Sequence, residues 1–307
     1  MPESTPVAIH AASALATTDL LGLSPAELEQ WLTARGEPRF RANQLASWIY
    51  QGLVADFEAM TNLPQSLRER LATEASIVGP RLRSEQTSRD GRTRKVLLEL
   101  VDGRLIESVL MLYPPSPDGR GRVSVCISTQ AGCAYGCTFC ATGQMGFERH
   151  LSAGEIVGQV LYLARALRDT PWTGPDGQTL DAISNIVLMG MGEPLHNYDN
   201  VLHAVRILTD PRALSLGARH ITLSTVGLVP GILRLADEGL QINLAISLHA
   251  PNNAMRLRTM PITRKYPLEE VLAACHTYAR RTHRQVTFEY VLLAGVNDAP
   301  EHAQELA

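Results

Sequence analysis

Residues 123–140 read VSVCISTQAGCAYGCTFC, an apolar run followed directly by a loop that contains three cysteines. The apolar pattern from Val123 to Ser128 predicts a buried strand. In parallel α/β barrels the loops that follow the strands build the active site, so the cysteines stand where such folds bind ligands. This stretch therefore indicates both the fold class and the position of a site.

The three cysteines of this loop are Cys133, Cys137 and Cys140. Thiols this close together are expected to bind a metal group or to be strongly activated. A structural zinc site normally takes four protein ligands, and no fourth ligand follows at zinc-finger spacing. Three cysteines suit a four-iron cluster in which one iron is left open for another ligand. A zinc knuckle or unligated thiols are the alternatives.

Strand and helix patterns alternate beyond residue 121. The predicted strands are Val123 to Ser128, Asn185 to Met189, His220 to Ser224, Ile242 to Leu248 and Gln285 to Leu292. The predicted helices between them are Ala153 to Arg168, Tyr198 to Leu208, Pro230 to Glu238 and Leu268 to Arg281. Five such units predict a parallel sheet with right-handed crossovers. We expect an α/β fold, a partial (β/α) barrel of the TIM type, with a doubly wound sheet as the alternative.

The first 113 residues follow a different pattern, with helical signals first and strand signals later. Ser24 and Glu27 form a predicted capping box at the start of the first helix. Apolar runs separated by Asp-Gly turns predict a small β-meander before residue 113. We expect a flexible tail over 1–23, a helical and β-meander accessory domain over 24–113, and the barrel over 114–307. The Pro- and Gly-rich segment at 114–121 is the predicted boundary.

Composition limits the class of protein. The formal net charge is −3, so the whole molecule is not a polycation, although a local basic face is possible. No apolar run approaches the length of about 18 residues that a membrane span needs. Five cysteines and an N-terminus without a basic leader do not resemble an exported disulfide framework. We expect a cytoplasmic protein with no membrane partner.

A glycine-rich turn, Met189-Gly190-Met191-Gly192-Glu193-Pro194, follows the second predicted strand. Glycines permit a close backbone approach, and a carboxylate can receive an ammonium group of a ligand. The same tripeptide also occurs at Gly36-Glu37-Pro38, as an ordinary turn. The motif alone is therefore a weak signal.

Longer motifs resemble one enzyme family. They are GEPRFRANQL at 36–45, DGRTRK at 90–95, CISTQAGC at 126–133, MGEPL at 191–195, LSTVGLVP at 223–230, AISLHAP at 245–251 and FEYVLLAGVND at 288–298. From about Ser24 to Ala307 the sequence is similar to the RlmN family of the radical S-adenosylmethionine superfamily. That family methylates C2 of an adenine in large-subunit (23S) ribosomal RNA and in certain transfer RNAs.

The resemblance implies the cofactors and the residues that hold them. Cys133, Cys137 and Cys140 would ligate a [4Fe-4S] cluster whose open iron chelates S-adenosyl-L-methionine, and one electron would then cleave the sulfonium. The electron would come from a donor such as flavodoxin. The residues implied to line the S-adenosylmethionine site are Gly192, Glu193, Ser224, Ser247, Leu248 and His249.

Two catalytic roles are also implied by the resemblance. Glu107 shares a strand face with Leu105, Val109 and Met111, where a carboxylate is unusual unless it is paired or functional. In the family the matching residue removes the C2 proton. Cys126 by itself suggests a small buried strand residue. In the family the matching cysteine releases the product by attacking the sulfur of a second cysteine, which leaves a disulfide bond.

The sequence lacks a match to the family's methyl-carrying cysteine. Cys275, in a helical run, matches nothing catalytic and is interpreted as a core residue. The pattern ends on a helix start at residues 301–307, so we expect a chain truncated before its last βα unit and unable to complete methyl transfer.

Basic residues suggest where RNA binds. The run from Arg81 to Lys95 is predicted to contact phosphates, with Arg256, Arg258, Arg264 and Lys265 near the mouth of the sheet as possible additions. A solvated surface is the alternative interpretation of this run. Two alternative functions also stay open, which are methylation of adenine C8 of the antibiotic-resistance type and non-catalytic RNA binding by an iron–sulfur protein.

Overall fold

The structure is a computed structural model that describes residues 17–115, 121–173 and 179–307. Most of the predicted tail (1–16) and the middle of the predicted boundary loop (116–120) lie outside these ranges. The strands are β1 (Thr18–Asp19), β2 (Ala75–Ser76), β3 (Arg81–Thr87), β4 (Thr93–Glu99), β5 (Leu105–Tyr113), β6 (Arg122–Cys126), β7 (Gln130–Gly132), β8 (Phe147–His150), β9 (Trp172–Thr173), β10 (Thr179–Leu180), β11 (Asn185–Leu188), β12 (Ile221–Thr225), β13 (Asn243–Ser247) and β14 (Val286–Glu289). The helices are α1 (Pro25–Thr33), α2 (Phe40–Ala46), α3 (Gln65–Glu74), α4 (Ala141–Met145), α5 (Ala153–Asp169), α6 (Tyr198–Thr209), α7 (Val229–Ala236), α8 (Asn253–Thr259), α9 (Leu268–Thr282) and α10 (Pro300–Leu306).

The first N-terminal helix begins where its capping residues predict. The Ser24 hydroxyl accepts from the Glu27 amide and the Glu27 carboxylate accepts from the Ser24 amide, which confirms the capping box of α1. The prediction of a flexible tail is wrong for residues 18–23. β1 pairs with β2, and Leu20 and Leu21 are buried because they belong to the hydrophobic core.

A single eight-stranded sheet forms the centre of the molecule, in the order β14-β13-β12-β11-β6-β5-β4-β3. The five strands β6, β11, β12, β13 and β14 are parallel, and neighbours in the sheet follow in chain order. A doubly wound sheet would instead reverse its strand order at a switch point. The predicted partial barrel is therefore confirmed, and every predicted strand and helix of this half has a counterpart.

The two strands predicted for the meander, Lys95 to Leu100 and Leu105 to Leu112, exist as β4 and β5 and are joined by a further strand, β3, but the meander is not separate from the barrel. β5 pairs antiparallel with β6, with Val109 opposite Cys126, so hydrogen bonds continue across the predicted boundary at residue 114. The meander thus extends the barrel sheet beyond its first parallel strand. The sequence prediction also misses β3, because its residues are all exposed and show no apolar alternation.

The two faces of the sheet differ in character. One face is apolar and buried beneath the helices, as illustrated by Ile106, Val125 and Leu223. The other face, here called the concave face, carries polar side chains, and the strand register shows which residues lie on it. Residues on the concave face include Lys95, Glu107, Cys126, Ser224, Ser247 and Glu289.

A buried glutamine on α5 fixes the chain immediately after β6. The Gln159 side chain accepts from the Ser108 hydroxyl and from the Ser128 amide, at 2.8 Å each, and donates to the Ser128 carbonyl at 3.0 Å. The strand β5, helix α5 and the segment that leads to the cysteine loop are therefore held by one side chain. Within the described ranges, no helix combines the length and apolar character that a membrane crossing requires.

Candidate active site

An open cavity, of about 690 Å³ with the solvent at its mouth included, lies at the carboxyl ends of the parallel strands. Its wall contains most of the site residues predicted from sequence, together with Phe139, Met189, Met260 and Glu289. The predicted residues in the wall are Cys133, Cys137, Cys140, Gly192, Glu193, Ser224, Ser247 and His249. Leu248 is buried and outside the wall, and its amide donates to the Glu289 carbonyl at 3.0 Å.

The cysteine loop folds back on a short two-stranded ribbon of β7 and β8. The Cys133 amide donates to the Gly146 carbonyl at 2.8 Å, which closes the loop at its base. Gly132 has φ +74°, and a Cβ there would lie 1.9 Å from the Gly146 oxygen, so only glycine fits this closure. The Thr138 amide donates to the Thr259 carbonyl at 2.9 Å and thereby ties the loop to α8.

The three thiols of the cysteine loop fit an iron–sulfur cluster, because its iron ions supply positive charge. Burial raises the pKa of Cys137 to about 12, and the neighbouring thiols Cys133 and Cys140 act in the same direction. Burial also raises the pKa of Cys133. Thiolates here therefore need a cationic partner, which iron provides. In the described part of the chain no three ligand side chains converge on a single ion, but a four-iron cluster does not require this, because each cysteine binds a different iron.

The glycine-rich turn after β11 packs against the segment that follows β6. Gly192 has φ +101°, and a Cβ there would lie 2.5 Å from the Gln130 Cβ and 2.8 Å from its backbone nitrogen. A Cβ at Gly190 would lie 2.8 Å from the carbonyl of Ile127. Both glycines are therefore required for the close approach that brings this turn beside the cysteine loop.

The Glu193 carboxylate is buried and holds backbone amides. It accepts from the amides of Leu195 at 3.0 Å and Val226 at 2.8 Å, so it joins the turn after β11 to the end of β12. Burial raises the pKa of Glu193 to about 7, although these two amides act in the opposite direction. The other Gly-Glu-Pro turn differs, because its Glu37 forms an ion pair with Arg70 and holds no strand of the barrel.

Three polar side chains lie at or next to the carboxyl ends of the next three strands, beside the cavity. Ser224 lies at the end of β12, Ser247 ends β13 and Glu289 ends β14. The Ser224 hydroxyl donates to the Glu289 carboxylate at 3.4 Å. Parallel strands bring their carboxyl ends to one edge of the sheet, so these groups form a polar wall of the cavity. Glu289 is a site residue that the sequence does not predict, because the predicted strand continues to Leu292 and places Glu289 inside it, whereas β14 ends at Glu289.

His249 is held in one tautomer just after β13. Its Nδ1 accepts from the Val291 amide at 3.0 Å, so the proton of the neutral ring is on Nε2. Burial lowers the pKa of His249 to about 4, and the Arg256 charge acts in the same direction. The ring packs edge-on against Phe139 of the cysteine loop, with centroids 4.8 Å apart. His249 thus presents a neutral N–H donor in the cavity wall.

Glu107 and Cys126 lie on the concave face and outside the cavity wall. Cys126 is opposite Val109 and therefore diagonal to Glu107 on the neighbouring strand. Glu107 is about half exposed and its carboxylate pairs with Lys95 Nζ at 2.9 Å. Burial raises the pKa of Cys126 to about 11, while a hydrogen bond from the Met189 amide acts to lower it. Since Met189 also lines the cavity, Cys126 adjoins the cavity.

The disulfide expected from the resemblance is not supported, because all five cysteines are free thiols in the structure. Cys126 and Cys275 lie on different elements, β6 and α9. Cys275 is buried within the hydrophobic core, which confirms its interpretation as a core residue.

Two buried polar residues at the site differ from what the sequence predicts. Gln130 is fully buried, accepts from the Glu193 amide at 2.8 Å, and bonds through Nε2 to His150 and His196. Its position in a polar run after a strand is the only sequence signal for this role. The predicted RNA contact through Arg256 is wrong. Its side chain is fully buried, because four oxygen atoms of the protein accept its hydrogen bonds.

The fold and the three-cysteine loop define a class, and comparison with known proteins agrees. The radical SAM superfamily model matches residues 127–307. A crystal structure of a radical SAM methyltransferase from Sphaerobacter thermophilus superposes with a TM-score of 0.86 at 48% identity, covering 94% of this chain and 80% of that one. The chain is a radical SAM enzyme, and its cofactors are a [4Fe-4S] cluster and S-adenosyl-L-methionine.

The family follows from further matches. Residues 18–77 match the model of the ribosomal RNA large subunit methyltransferase N-terminal domain. The chain is 50% identical over 281 residues to a probable dual-specificity RNA methyltransferase RlmN of Geobacillus kaustophilus, covering 92% of this chain and 73% of the relative. It is 48% identical over 316 residues to the protein of that name from Roseiflexus sp., covering 94% and 78%. The chain belongs to the RlmN family.

Proposed function

We propose that this enzyme methylates C2 of adenine in 23S ribosomal RNA and in transfer RNA. The observation that supports this most directly is that one concave face carries both a cofactor cavity and a separate pair of reactive groups. Cys133, Cys137 and Cys140 line the cavity, and Glu107 and Cys126 lie beside it on neighbouring strands. Such an arrangement suits an enzyme that activates a cofactor at one point and handles a base next to it.

Different residues of the cavity would hold the two cofactors. The three cysteines would hold the cluster, which with S-adenosylmethionine supplies the one-electron chemistry that activates a methyl group. Gly192 would bring the backbone of the turn beside the ligand, because its lack of a Cβ lets it pack against Gln130, while Glu193 fixes the turn. Ser224, Ser247 and His249 would orient the ligand with their hydroxyl and N–H groups. Leu248 would hold the end of β13 in place, since its amide donates to the Glu289 carbonyl and its carbonyl accepts from Arg256.

Glu107 would take the proton that leaves adenine C2. A general base must be ionised and accessible, and this carboxylate is half exposed and paired with the Lys95 ammonium. Cys126 would release the product by attacking the sulfur of a second, methyl-carrying cysteine, a role that none of the other four cysteines of the 307 residues fits. Its raised pKa keeps it a thiol until a base removes its proton.

The β3–β4 hairpin is the proposed RNA surface. Residues 81–92 are all exposed, and Arg94 and Lys95 are the members of the basic run that form ion pairs in the described chain, with Glu85 and Glu107. The arginines proposed to contact phosphates are Arg81, Arg83, Arg89 and Arg92. Since Lys95 and Glu107 lie on the same sheet, RNA on this hairpin would reach the catalytic carboxylate. The target adenine would have to be flipped out of its stack.

The division at about residue 114 and the electron donor also belong to this proposal. We assign RNA contact to the N-terminal part and cofactor binding to the barrel. A flavodoxin-like protein would deliver the electron. An RNA-modifying enzyme with an iron–sulfur cluster would work in the reducing cytoplasm, beside its RNA.

The test is to supply the complete reading frame of this gene to a bacterial strain that lacks its own adenine C2 methylation, because the 307 residues alone are expected to lack the methyl-carrying cysteine. Mass spectrometry of 23S rRNA and tRNA should then detect 2-methyladenosine. Exclusive 8-methyladenosine would establish the alternative regiochemistry. No methylation together with RNA binding would favour a non-catalytic iron–sulfur protein. A Cys133→Ala, Cys137→Ala double variant is the matched control and should restore no methylation.

A further inference from the structure

Arg256 of α8 is the largest fully buried side chain of the molecule's described part, with an exposure of 0%. Its Nε donates to the Leu248 carbonyl at 3.1 Å, and its Nη2 donates to the carbonyls of Ser247 at 3.0 Å and Val226 at 2.6 Å. Nη1 donates to the Thr263 hydroxyl at 3.1 Å. One guanidinium therefore fixes the ends of β12 and β13, from which the cavity wall is built.

This charge has no carboxylate partner among the described residues, because its acceptors are three carbonyls and a hydroxyl. Burying an unpaired charge is strongly unfavourable. A neutral donor such as glutamine would satisfy some of the same oxygens at lower cost. A nearby anionic group would explain why a positively charged side chain is buried here.

The cysteine loop is that neighbour. The Thr138 amide donates to the Thr259 carbonyl, which lies one turn from Arg256 on α8. Met260, which follows α8, lines the same cavity as the three cysteines. Burial lowers the pKa of Arg256 to about 10, so it remains a cation at neutral pH.

We propose that Arg256 is the buried counter-cation of the iron–sulfur cluster and a positioning residue for the strand ends around it. The inference rests on the proposed role of the three loop cysteines as cluster ligands. A cluster with three thiolates is anionic, and its reduction adds a further negative charge. Charge and hydrogen bonding near a cluster set its reduction potential. A fixed cation on α8, the helix that is hydrogen-bonded to the cysteine loop, should therefore favour the reduced state.

The experiment compares the midpoint potential of the reconstituted cluster in the intact protein, measured by reductive titration and electron paramagnetic resonance. Arg256→Gln removes the charge and keeps an amide donor. Thr263→Asp keeps the arginine and places a carboxylate against it, with Thr263→Asn as its isosteric control. Arg258→Gln removes an exposed arginine of the same helix.

We expect more negative potentials for Arg256→Gln and Thr263→Asp, and wild-type potentials for Thr263→Asn and Arg258→Gln. If Arg256→Gln does not fold, the Thr263 pair still decides the question. Equal potentials in all variants that hold the cluster would overturn this inference and leave the proposed function intact. A wild-type protein that takes up no iron would overturn both.

Discussion

Lys95 Nζ lies 2.9 Å from Glu107 Oε1, across two neighbouring strands of the concave face. The pair is diagonal in the ladder, since Lys95 is opposite Val109 and Glu107 is opposite Leu97. Both side chains are nearly half exposed, at 44% and 45%, so the pair adds at most about 1 kcal/mol to stability. Its importance is therefore that it fixes the position of the carboxylate.

Replacing Glu107 should abolish methylation and change the stability of the protein only slightly. We expect Glu107→Gln to lower the free energy of unfolding by less than about 1 kcal/mol, because an exposed ion pair is weak. The same variant should abolish 2-methyladenosine in the complementation assay and retain the iron content of the wild type. Glu99→Gln, which changes the last residue of the neighbouring strand β4, is the control and should methylate normally. Methylation by Glu107→Gln would exclude this residue as the base.

The cysteines should differ sharply in iron binding. Cys133→Ala, Cys137→Ala or Cys140→Ala should each lose most of the iron and the visible absorbance after anaerobic reconstitution, since each thiol would ligate its own iron. Cys275→Ala should retain both, because Cys275 is a core residue of α9. Iron analysis and absorbance spectra provide the measurement. Full iron in all three loop variants would rule out the proposed ligand set.

The two Gly-Glu-Pro turns provide a matched pair of alanine substitutions. Gly192→Ala should cost about 3 kcal/mol or more, because its φ of +101° is strained for alanine and its Cβ would lie 2.5 Å from Gln130. Gly36→Ala has a similar φ of +80° but nothing within 4 Å of its Cβ, so it should cost about 1 kcal/mol. Urea unfolding of both variants tests this difference. Equal losses would contradict the packing described around Gly192.

His249 should make the iron-free protein sensitive to acid. Its folded pKa of about 4 lies below the ordinary value of 6.5, so the fold favours the neutral ring. Stability from this group is complete above about pH 6.5 and is lost as the pH falls toward 4, by on the order of 3 kcal/mol. His249→Asn should lose less stability over this range, and asparagine tolerates the local φ of +58°. Urea unfolding at several pH values checks this.

RNA binding should depend on the exposed arginines of the β3–β4 hairpin. Substituting Arg83 and Arg92 with alanine should weaken binding uniformly across RNA sequences and reduce the slope of log K against log salt by about 1 for each lost phosphate contact. Arg212, which pairs with Asp210 in the loop after α6, supplies the control. Filter binding at several salt concentrations measures the slope. An unchanged slope would place RNA elsewhere.

Periodic features are predictable from the sequence because they depend on local rules. The parallel strands, the long helices and the capping box at Ser24 follow from apolar spacing and capping chemistry. The family is recognisable from contiguous motifs around the site. The edge strand β3 escapes prediction because neither of its faces is buried, which leaves no apolar alternation to detect.

Features that depend on distant contacts are not predictable in this way. Arg256 resembles any surface arginine in the sequence, and only the meeting of β12, β13 and α8 buries it. Leu20 and Leu21 have no strong pattern around them, yet both belong to the core. The two Gly-Glu-Pro turns share one tripeptide, and their tertiary surroundings distinguish them.

The continuous ladder from β5 to β6 has a consequence for recombination between relatives. A hybrid protein joined near residue 114 would pair a β5 from one parent with a β6 from another, and mismatched side chains would meet at Val109 and Cys126. A crossover placed between β2 and β3 would exchange the N-terminal helices and leave that seam intact. Glu107, the proposed base, and Cys126, the thiol diagonal to it, would then come from the same parent.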